Sequence, residues 1–338
     1  CRVIAVSDWA PGDLGHETRD QPLQISQLQP LTTNLPMSRP CRNVEDIASE
    51  VRRIIEEEKT AHPEDVAEFY FRGESANFKT MDNSEIGTHF PCSLYQPNWN
   101  DAWRVEKEMY EEALRIKVFD FDRDGSMSER LVRMQHYQLL TRFADLSDNC
   151  LLSACFATGA GSFGGDREKT EQLDGWVRVI KVAKARMKSF ASDTIIALSH
   201  LPLVRSEDIR LSGPLASSAE DRGGLNALRY EIMKERPAFG FEHERPNVAL
   251  RLRHDIQQVW PFKPKINNPR IGRQGGIFLA YGCGEGKTPI RPTYSEEDYA
   301  KPDAPSFGIK QVGAIRIAAE SKHDIECELR YYGVRGEN

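Results

Sequence analysis

The most regular pattern of apolar and polar positions in the chain follows Asn43. Apolar residues recur there at the three- and four-residue spacing of one helix face, at Val44, Ile47, Val51, Ile54 and Ile55. Asn43 is a favoured N-cap residue, and Asp46 supports the first turn, so the pattern predicts an amphipathic helix. Residues 1–42 show no sustained periodicity and are rich in Pro, Gln, Thr and Asp. They predict an irregular lead-in before a domain at 43–338.

Several further segments have the periodicity or the apolar content of regular elements. Strands are predicted at 69–72, 175–182, 194–198 and 276–281, and helices at 103–118, from Ser128, at 225–235 and from Ser321 to Gly333. The segment Cys150–Ala157 is apolar on every side, which predicts a buried helix or strand. Mixed helices and strands without a repeat predict one α+β domain with a central, partly antiparallel sheet.

Composition and charge exclude several classes of protein. A net charge of −6 argues against a protein that binds duplex nucleic acid, and no apolar run is long enough to span a membrane. The seven cysteines are odd in number and never spaced C-x-x-C. They predict neither a disulfide framework nor a zinc site and favour a reducing, cytoplasmic compartment. Because the chain begins at Cys1 instead of Met, it is expected to be a truncated fragment.

Three short motifs resemble ligand sites but lack a part that the chemistry requires. The segment 120–128, D-F-D-R-D-G-S-M-S, matches the start of a calcium loop, but Leu131 stands where the bidentate carboxylate is needed, so no metal is predicted. G-C-G-E-G-K-T at 282–288 has the wrong glycine spacing for a phosphate loop and predicts a surface turn. E-C-E at 326–328 lies within a predicted helix, where its glutamates diverge, and predicts a solvated helix face.

Arg72 and Gly73 follow three consecutive aromatic residues at 69–71. The simpler interpretation is a buried strand that ends in a turn, with glycine supplying the turn dihedrals. The alternative is an arginine that binds an anion at the mouth of a cleft. The two interpretations depend on which side chains lie near Arg72.

A concentration of polar side chains among apolar ones marks the segment 133–147, R-M-Q-H-Y-Q-L-L-T-R-F-A-D-L-S. Its hydrogen-bonding members include Gln135, His136, Thr141, Arg142 and Asp145. Buried polar groups must be paired, and Arg142 with Asp145 is the expected ion pair. The segment predicts either an internal network that specifies the fold or a functional site, and His136 is either a core histidine or a base. The functional interpretation gains weight if Arg72 shares the site.

Five motifs in chain order resemble the signature of the FRG domain family, named for its Phe/Tyr-Arg-Gly tripeptide. They are F-R-G at 71–73, P-C-S-L-Y-Q at 91–96, Q-H-Y-Q-L-L-T-R-F-A-D-L-S at 135–147, S-A-C-F-A at 153–157 and R-I-G-R-Q-G-G-I-F at 270–278. The resemblance covers the chain from about residue 43 to its end. Departures from the family pattern are Gln96 for arginine, Gln138 for glycine, Leu140 for proline and Leu146 for tryptophan.

The layout of these motifs also resembles that of the arginine-serine-glutamate ADP-ribosyltransferases, in which one cleft holds NAD. The resemblance implies an ADP-ribosyltransferase-like fold in which Arg72 clamps the pyrophosphate and Gly73 lets the ligand approach the backbone. Gln135, Thr141 and Arg142 complete the implied NAD site, where Thr141 orients the nicotinamide ribose.

The same resemblance implies three catalytic residues, Gln274, Asp145 and His136. Gln274 stands where a glutamate is expected, near the ribose hydroxyls, as the glycosidic bond loosens into a cationic transition state. A glutamine cannot stabilise that cation as a carboxylate would, so Asp145 is the implied substitute.

Two classes of function stay open on these grounds. The first is an NAD-dependent ADP-ribosyltransferase or NAD glycohydrolase of toxin or defence type, acting in the cytoplasm, with a protein or nucleic acid as acceptor. The second is a catalytically silent module that binds a nucleotide or a protein partner. The glutamine at 274 favours the second, and the density of polar residues favours the first. A single site requires one cleft to hold Arg72, Gln135, His136, Thr141, Arg142, Asp145 and Gln274.

Overall fold

Seven strands in the described part of the chain form two sheets. The computed structural model describes residues 39–76, 91–95, 102–116, 121, 124–160, 170–211, 225–239, 246–266 and 276–335. The first sheet is antiparallel, in the order β1 (Ala67–Glu74), β3 (Gly175–Ala183) and β7 (Ile309–Ile317). The second has the order β2 (Phe143–Leu146), β6 (Ile277–Tyr281), β5 (Val259–Lys263) and β4 (Lys188–Ser189). Only its β4–β5 pair is parallel.

Nine α-helices occur among the same residues. They are α1 (Val44–Ala61), α2 (Glu106–Arg115), α3 (Met127–His136), α4 (Cys150–Ala157), α5 (Asp193–His200), α6 (Asn226–Glu235), α7 (Pro246–Asp255), α8 (Glu296–Ala300) and α9 (Lys322–Tyr331). The predicted α+β class is confirmed, although the strands form two sheets instead of one central sheet. Of these nine helices, none has both the length and the apolar character that a membrane span requires.

Three apolar clusters define the stacking of the layers. One lies between the two sheets and combines Tyr70 and Ile180 of the first with Leu146 and Leu279 of the second. Another joins the opposite face of the first sheet to α1, α4 and α9. The third joins the opposite face of the second sheet to α3, α5 and α6. The strands therefore form two inner layers, and helices pack on both outer faces.

The two sheets meet at an isolated β-bridge between Phe71 of β1 and Ser147, which follows β2. The Phe71 N–H donates to the Ser147 carbonyl at 2.7 Å, and the Ser147 N–H donates to the Phe71 carbonyl at 2.8 Å. The bridge brings Arg72 beside Asp145, although the two lie 73 residues apart in the chain.

The helix predicted after Asn43 is confirmed as α1. The Asn43 Oδ1 accepts a hydrogen bond from the Asp46 N–H at 2.8 Å, as an N-cap side chain does. Regular structure also reaches into the predicted lead-in, because Cys41 forms a parallel β-bridge with Ile317 of β7. Residues 1–38 of that lead-in lie outside the described residues.

The strand predicted at 194–198 is wrong, because these residues belong to α5. The Ser192 Oγ accepts a hydrogen bond from the Ile195 N–H at 3.5 Å at the start of the helix. The helix is buried on almost every side, so its sequence has no amphipathic period, and a short apolar run does not distinguish a helix from a strand. The capping box predicted at Ser321 is not formed either, since its side chain makes no capping hydrogen bond to α9.

Two segments predicted to face solvent are each partly buried. Lys287, from the glycine-rich turn, is 1% exposed, and its Nζ donates to the Val204 carbonyl at 3.0 Å. Glu326, from the E-C-E motif, is buried and pairs with Arg330. The Glu328 Oε2 accepts a hydrogen bond from the Val44 N–H at 2.8 Å and so supports the start of α1. Both segments contribute polar contacts that hold the fold together.

Lys322, the first residue of α9, is a buried cation held by carbonyl groups. Its Nζ donates to the Ser75 carbonyl at 2.6 Å and to the Thr170 carbonyl at 2.8 Å. Burial lowers the pKa of Lys322 to about 8, against the opposing charges of Asp174 and Glu171. An exposed lysine in the unfolded chain titrates near a pKa of about 10.4.

The depressed pKa of Lys322 predicts a pH dependence of stability. Between pH 8 and about 10.4 the unfolded chain binds more protons than the folded one at this position, so the free energy of unfolding rises with pH, by about 3 kcal/mol in total. Thermal melts from pH 7 to 10 are expected to show this relative gain in the wild type and not in Lys322→Met. Lys301→Met, at an exposed lysine, serves as the control. Parallel pH profiles of stability for the wild type and Lys322→Met would contradict the lowered pKa of Lys322.

Candidate functional site

An ion pair between Arg72 and Asp145 lies where the two sheets meet. The Arg72 Nη1 donates to the Asp145 Oδ1 at 3.2 Å and to the Asp145 carbonyl at 3.0 Å. The Arg72 Nε donates to the Glu74 Oε1 at 3.4 Å. Burial opposes the charge of Arg72, but Asp145 and Glu74 outweigh that effect and raise its pKa. The guanidinium is therefore charged and held by carboxylates from two strands.

The Arg72–Asp145 pair continues into a row of polar side chains across the first sheet. Arg178 of β3 stands opposite Arg72 in the register. Its Nε donates to the Glu74 Oε2 at 2.7 Å, and its Nη1 donates to the Gln311 Oε1 of β7 at 3.1 Å. Sequence reasoning missed Glu74, Arg178 and Gln311. The two-residue spacing of Arg72 and Glu74 was the available signal, since it places both side chains on one strand face.

Exposure distinguishes the two ends of this polar row. The Arg178 side chain is 2% exposed, whereas that of Arg72 is 16% exposed and that of Asp145 is 42% exposed. The Nη2 of Arg72 makes no hydrogen bond with any residue that the structure describes. At its outer end the row thus presents a guanidinium N–H and a carboxylate next to each other.

A small cleft with an accessible volume of about 10 Å³ lies beside Asp145 between β2, β6 and α4. Its lining consists of Asp145, Leu146, Ser147, Leu152, Phe156, Gly276, Ile277 and Phe278. Leu152 and Phe156 are partly exposed and lie one turn apart on α4, so they give this side of the cleft an apolar surface. His136 packs edge to face on Phe278, with the ring centroids 6.2 Å apart. His136 is thereby one contact away from the cleft lining.

Gln135 and Thr141 come together as predicted, but away from the cleft lining. The Thr141 hydroxyl donates to the Gln135 Oε1 at 2.8 Å, and the Thr141 N–H donates to the Ser93 Oγ at 2.9 Å. Thr141 is 2% exposed. These contacts tie the end of α3 to the start of β2 and position the strand that carries Asp145.

Arg142 does not pair with Asp145, so that prediction is wrong. Arg142 is fully buried, and both its Nε and its Nη2 donate to the carboxylate of Glu106, the former at 2.9 Å. Its Nη1 donates to the Tyr281 carbonyl at 3.0 Å. Arg142 immediately precedes β2, and its side chain reaches the carboxylate of Glu106 on α2 instead of Asp145. Arg142 braces the fold and lies outside the candidate site.

Gly73 is required for packing against a helix. A Cβ atom at this position would lie 1.8 Å from the Ser153 carbonyl oxygen of α4. The space expected to admit a ligand is therefore occupied by the backbone of α4. Gly73 permits the close approach of β1 and α4, and α4 borders the cleft through Leu152 and Phe156.

Not every residue predicted for the site falls within the described ranges. Gln274 lies outside the described residues, although Gly276, two positions later, lines the cleft. Asp120 and Asp122 of the calcium-like segment also lie outside them. Asp124 is described, and both of its carboxylate oxygens accept hydrogen bonds from Arg133 at 2.7 Å. Within the described ranges, no group of three or more His, Cys, Asp or Glu side chains is arranged to hold a metal ion.

The predicted residues thus divide into two groups. Asp145 lines the cleft and is bound by Arg72, with His136 nearby, whereas Gln135, Thr141 and Arg142 form supporting contacts inside the fold. The first group offers one donor to an anion, one acceptor to hydroxyl groups and an apolar wall. A comparison of the chain with protein-family models, with curated proteins and with solved structures finds no match in any of the three.

Proposed function

We propose that the cleft beside the Arg72–Asp145 pair binds a nucleotide of the NAD class. The observation that supports this proposal is the partly exposed pair itself, in which the Arg72 Nη2 is left without a described partner. A planar guanidinium N–H is a strong donor to phosphate oxygens. A carboxylate beside it accepts hydrogen bonds from ribose hydroxyls, as acidic residues do in dinucleotide sites.

The apolar side of the cleft suits the remaining part of such a ligand. Leu152 and Phe156 present a partly exposed apolar surface that a base or a nicotinamide ring would cover. A phosphate contact and a ribose contact beside an apolar wall are the combination that a nucleotide requires. A protein partner alone would not need the exposed donor and acceptor side by side.

Arg72→Lys is expected to weaken NAD binding at least tenfold, which corresponds to about 1.4 kcal/mol. Lysine keeps the positive charge but lacks the planar fork that binds Asp145 and a phosphate together. Asp145→Asn is expected to weaken binding as well, since it removes the charged acceptor. Titration calorimetry with NAD and with ATP measures both effects. Arg53→Lys, at an exposed arginine of α1, is the matched control and should bind as the wild type does.

The same variants distinguish a ligand contact from a brace within the fold. Arg72 contacts two carboxylates, so Arg72→Lys is also expected to lower the melting temperature. A lower melting temperature with unchanged affinity for NAD and ATP would reject the phosphate contact and leave Arg72 as a structural residue.

NAD cleavage is the second candidate function, and the exposure of Asp145 favours it. A carboxylate that reaches the cleft can stabilise the cation formed as the glycosidic bond to nicotinamide breaks. Release of nicotinamide from NAD by the wild type, and its loss in Asp145→Asn, would support an ADP-ribosyltransferase or glycohydrolase. NAD binding without nicotinamide release would support the silent module.

A further inference from the structure

A second cationic centre lies around Arg186, at the β4 side of the second sheet. Arg186 is 7% exposed and ends the short 3-10 turn Lys184–Arg186 between β3 and β4. Its Nη2 donates to two neutral acceptors, the Gln258 Oε1 at 2.9 Å and the Val259 carbonyl at 3.3 Å. Its Nε is buried and has no hydrogen-bond partner. Arg186 is therefore a buried cation whose hydrogen-bonding capacity is only partly used.

The other arginines that are buried in the described part of the chain are neutralised by a carboxylate in direct contact. Arg142 is paired with Glu106, and Arg178 is paired with Glu74. Arg186 makes no ion pair with any residue in the described ranges. An uncompensated buried charge is strongly unfavourable, which calls for a counter-charge from outside the fold.

Asp255 is the carboxylate whose charge acts on Arg186, and it already accepts a hydrogen bond from another residue. Asp255 raises the pKa of Arg186, yet burial lowers that pKa more strongly. The Asp255 Oδ2 accepts a hydrogen bond from the Thr194 hydroxyl at 2.6 Å, and its Oδ1 lies 3.7 Å from the His254 Nδ1. Asp255 thus acts on Arg186 through space without binding it.

Two further cations adjoin Arg186. The Lys188 Nζ lies 4.4 Å from the centre of the Trp260 ring, and the Arg186 guanidinium lies 3.3 Å from the same ring. Burial lowers the pKa of Lys188, and the nearby charges of Arg251 and Arg186 lower it further against the opposing charge of Asp255. Arg186 and Lys188 therefore share one aromatic ring, and the charge of Arg251 acts on Lys188 through space. Arg251 is exposed and Lys188 is half-buried, so both side chains are accessible to solvent.

The backbone leaves room for this arrangement at Gly308. Gly308 has a φ of +71°, and a Cβ atom there would lie 2.5 Å from the Cγ of Arg186. The Arg186 guanidinium also lies 5.1 Å from the Phe307 ring centre. A left-handed glycine and two aromatic rings thus hold the buried guanidinium in one position, which a binding residue requires.

We propose that Arg186, Lys188 and Arg251 form a binding site for a dianionic phosphate group, distinct from the cleft at Arg72. Phosphate matches the site because its two negative charges offset the excess of cations, and its oxygens accept several N–H donors at once. The group is either free phosphate or the phosphate of a small phosphorylated molecule. The two sites lie by β2 and by β4, the opposite edges of the second sheet.

Calorimetric titration with inorganic phosphate, in sodium chloride of matched ionic strength, tests the site. The wild type is expected to bind phosphate, and Lys188→Gln and Arg251→Gln are expected to weaken that binding at least tenfold each. Lys184→Gln, at an exposed lysine of the same turn, should not change it. Because Arg186→Met removes an uncompensated charge, it should abolish binding while the melting temperature in phosphate-free buffer stays the same or rises.

Parallel titrations with a phosphorylated sugar identify the source of the phosphate. Tight binding of the sugar phosphate with weak binding of inorganic phosphate, lost in the same variants, would assign the site to a phosphorylated small molecule. Equal binding of both would assign it to the phosphate group alone. The proposal would be overturned if the wild type bound neither inorganic phosphate nor the sugar phosphate. Equal loss of phosphate binding in Arg72→Lys and Arg186→Met would overturn it as well. Of the two binding reactions, Arg72→Lys is expected to affect NAD binding alone, and Arg186→Met phosphate binding alone. Comparing the two variants therefore shows which of the two proposed sites fails.

Discussion

Replacing Glu106 with glutamine is expected to lower the free energy of unfolding by about 3–5 kcal/mol. The Glu106 carboxylate binds two cations that are almost fully buried, Arg142 and Lys287, the second at 2.8 Å. Burial opposes ionisation of Glu106, but the charges of Arg142 and Lys287 outweigh it and hold its pKa below the ordinary value. A neutral amide would leave both cations in the interior without a counter-charge. Urea denaturation measures the change.

The control for this substitution lies on the same helix. Glu112→Gln removes a carboxylate that pairs with Arg115 at 2.7 Å, with both side chains largely exposed, and should change stability by less than about 0.5 kcal/mol. A loss of less than about 1 kcal/mol in Glu106→Gln would show that Arg142 and Lys287 are solvated or paired in another way. Arg142 would then again be available as a residue of the ligand site.

Local sequence patterns were sufficient for the elements whose stabilising contacts are local. The face of α1 follows from apolar spacing, and its start follows from the Asn43 cap, since both depend on residues within one or two turns. The run of aromatic residues likewise indicated β1. The buried helix α5 shows the opposite case. Its sides contact apolar neighbours from several elements, so the sequence carries no period that separates helix from strand.

The composition of the candidate site was predictable, but the pairing of its charges was not. The density of polar residues at 133–147 indicated that the segment had to satisfy them internally or with a ligand. Which carboxylate each arginine binds depends on strand register and helix placement. Arg142 binds Glu106, 36 residues earlier, while Asp145 binds Arg72 through the bridge between the two sheets. Arg186 gave no sequence signal, because its significance rests on its having no ion pair with any residue that the structure describes.

Gly73→Ala is expected to destabilise the protein by about 3 kcal/mol or more, the upper range for overpacking in a core. The added methyl group would overlap the Ser153 carbonyl oxygen at 1.8 Å. The methyl group would be fixed to the backbone of β1, and the oxygen belongs to the backbone of α4. Neither can move without separating β1 from α4. Gly125→Ala is the matched control, because a Cβ atom there meets nothing within 4 Å. Chemical denaturation of both variants measures the difference.

The outcome also decides between two roles for the glycine beside Arg72. If Gly73 serves the packing of α4, the variant loses stability, and its affinity for NAD falls only as far as α4 and the cleft are displaced. If the glycine instead admits a ligand to the backbone, the variant keeps its melting temperature and loses NAD binding alone. Wild-type stability in Gly73→Ala would therefore show that β1 and α4 are further apart than in this structure, where a Cβ atom at position 73 would lie 1.8 Å from the Ser153 carbonyl oxygen. The cleft wall formed by Leu152 and Phe156 would then have to lie elsewhere, because both side chains are carried by α4.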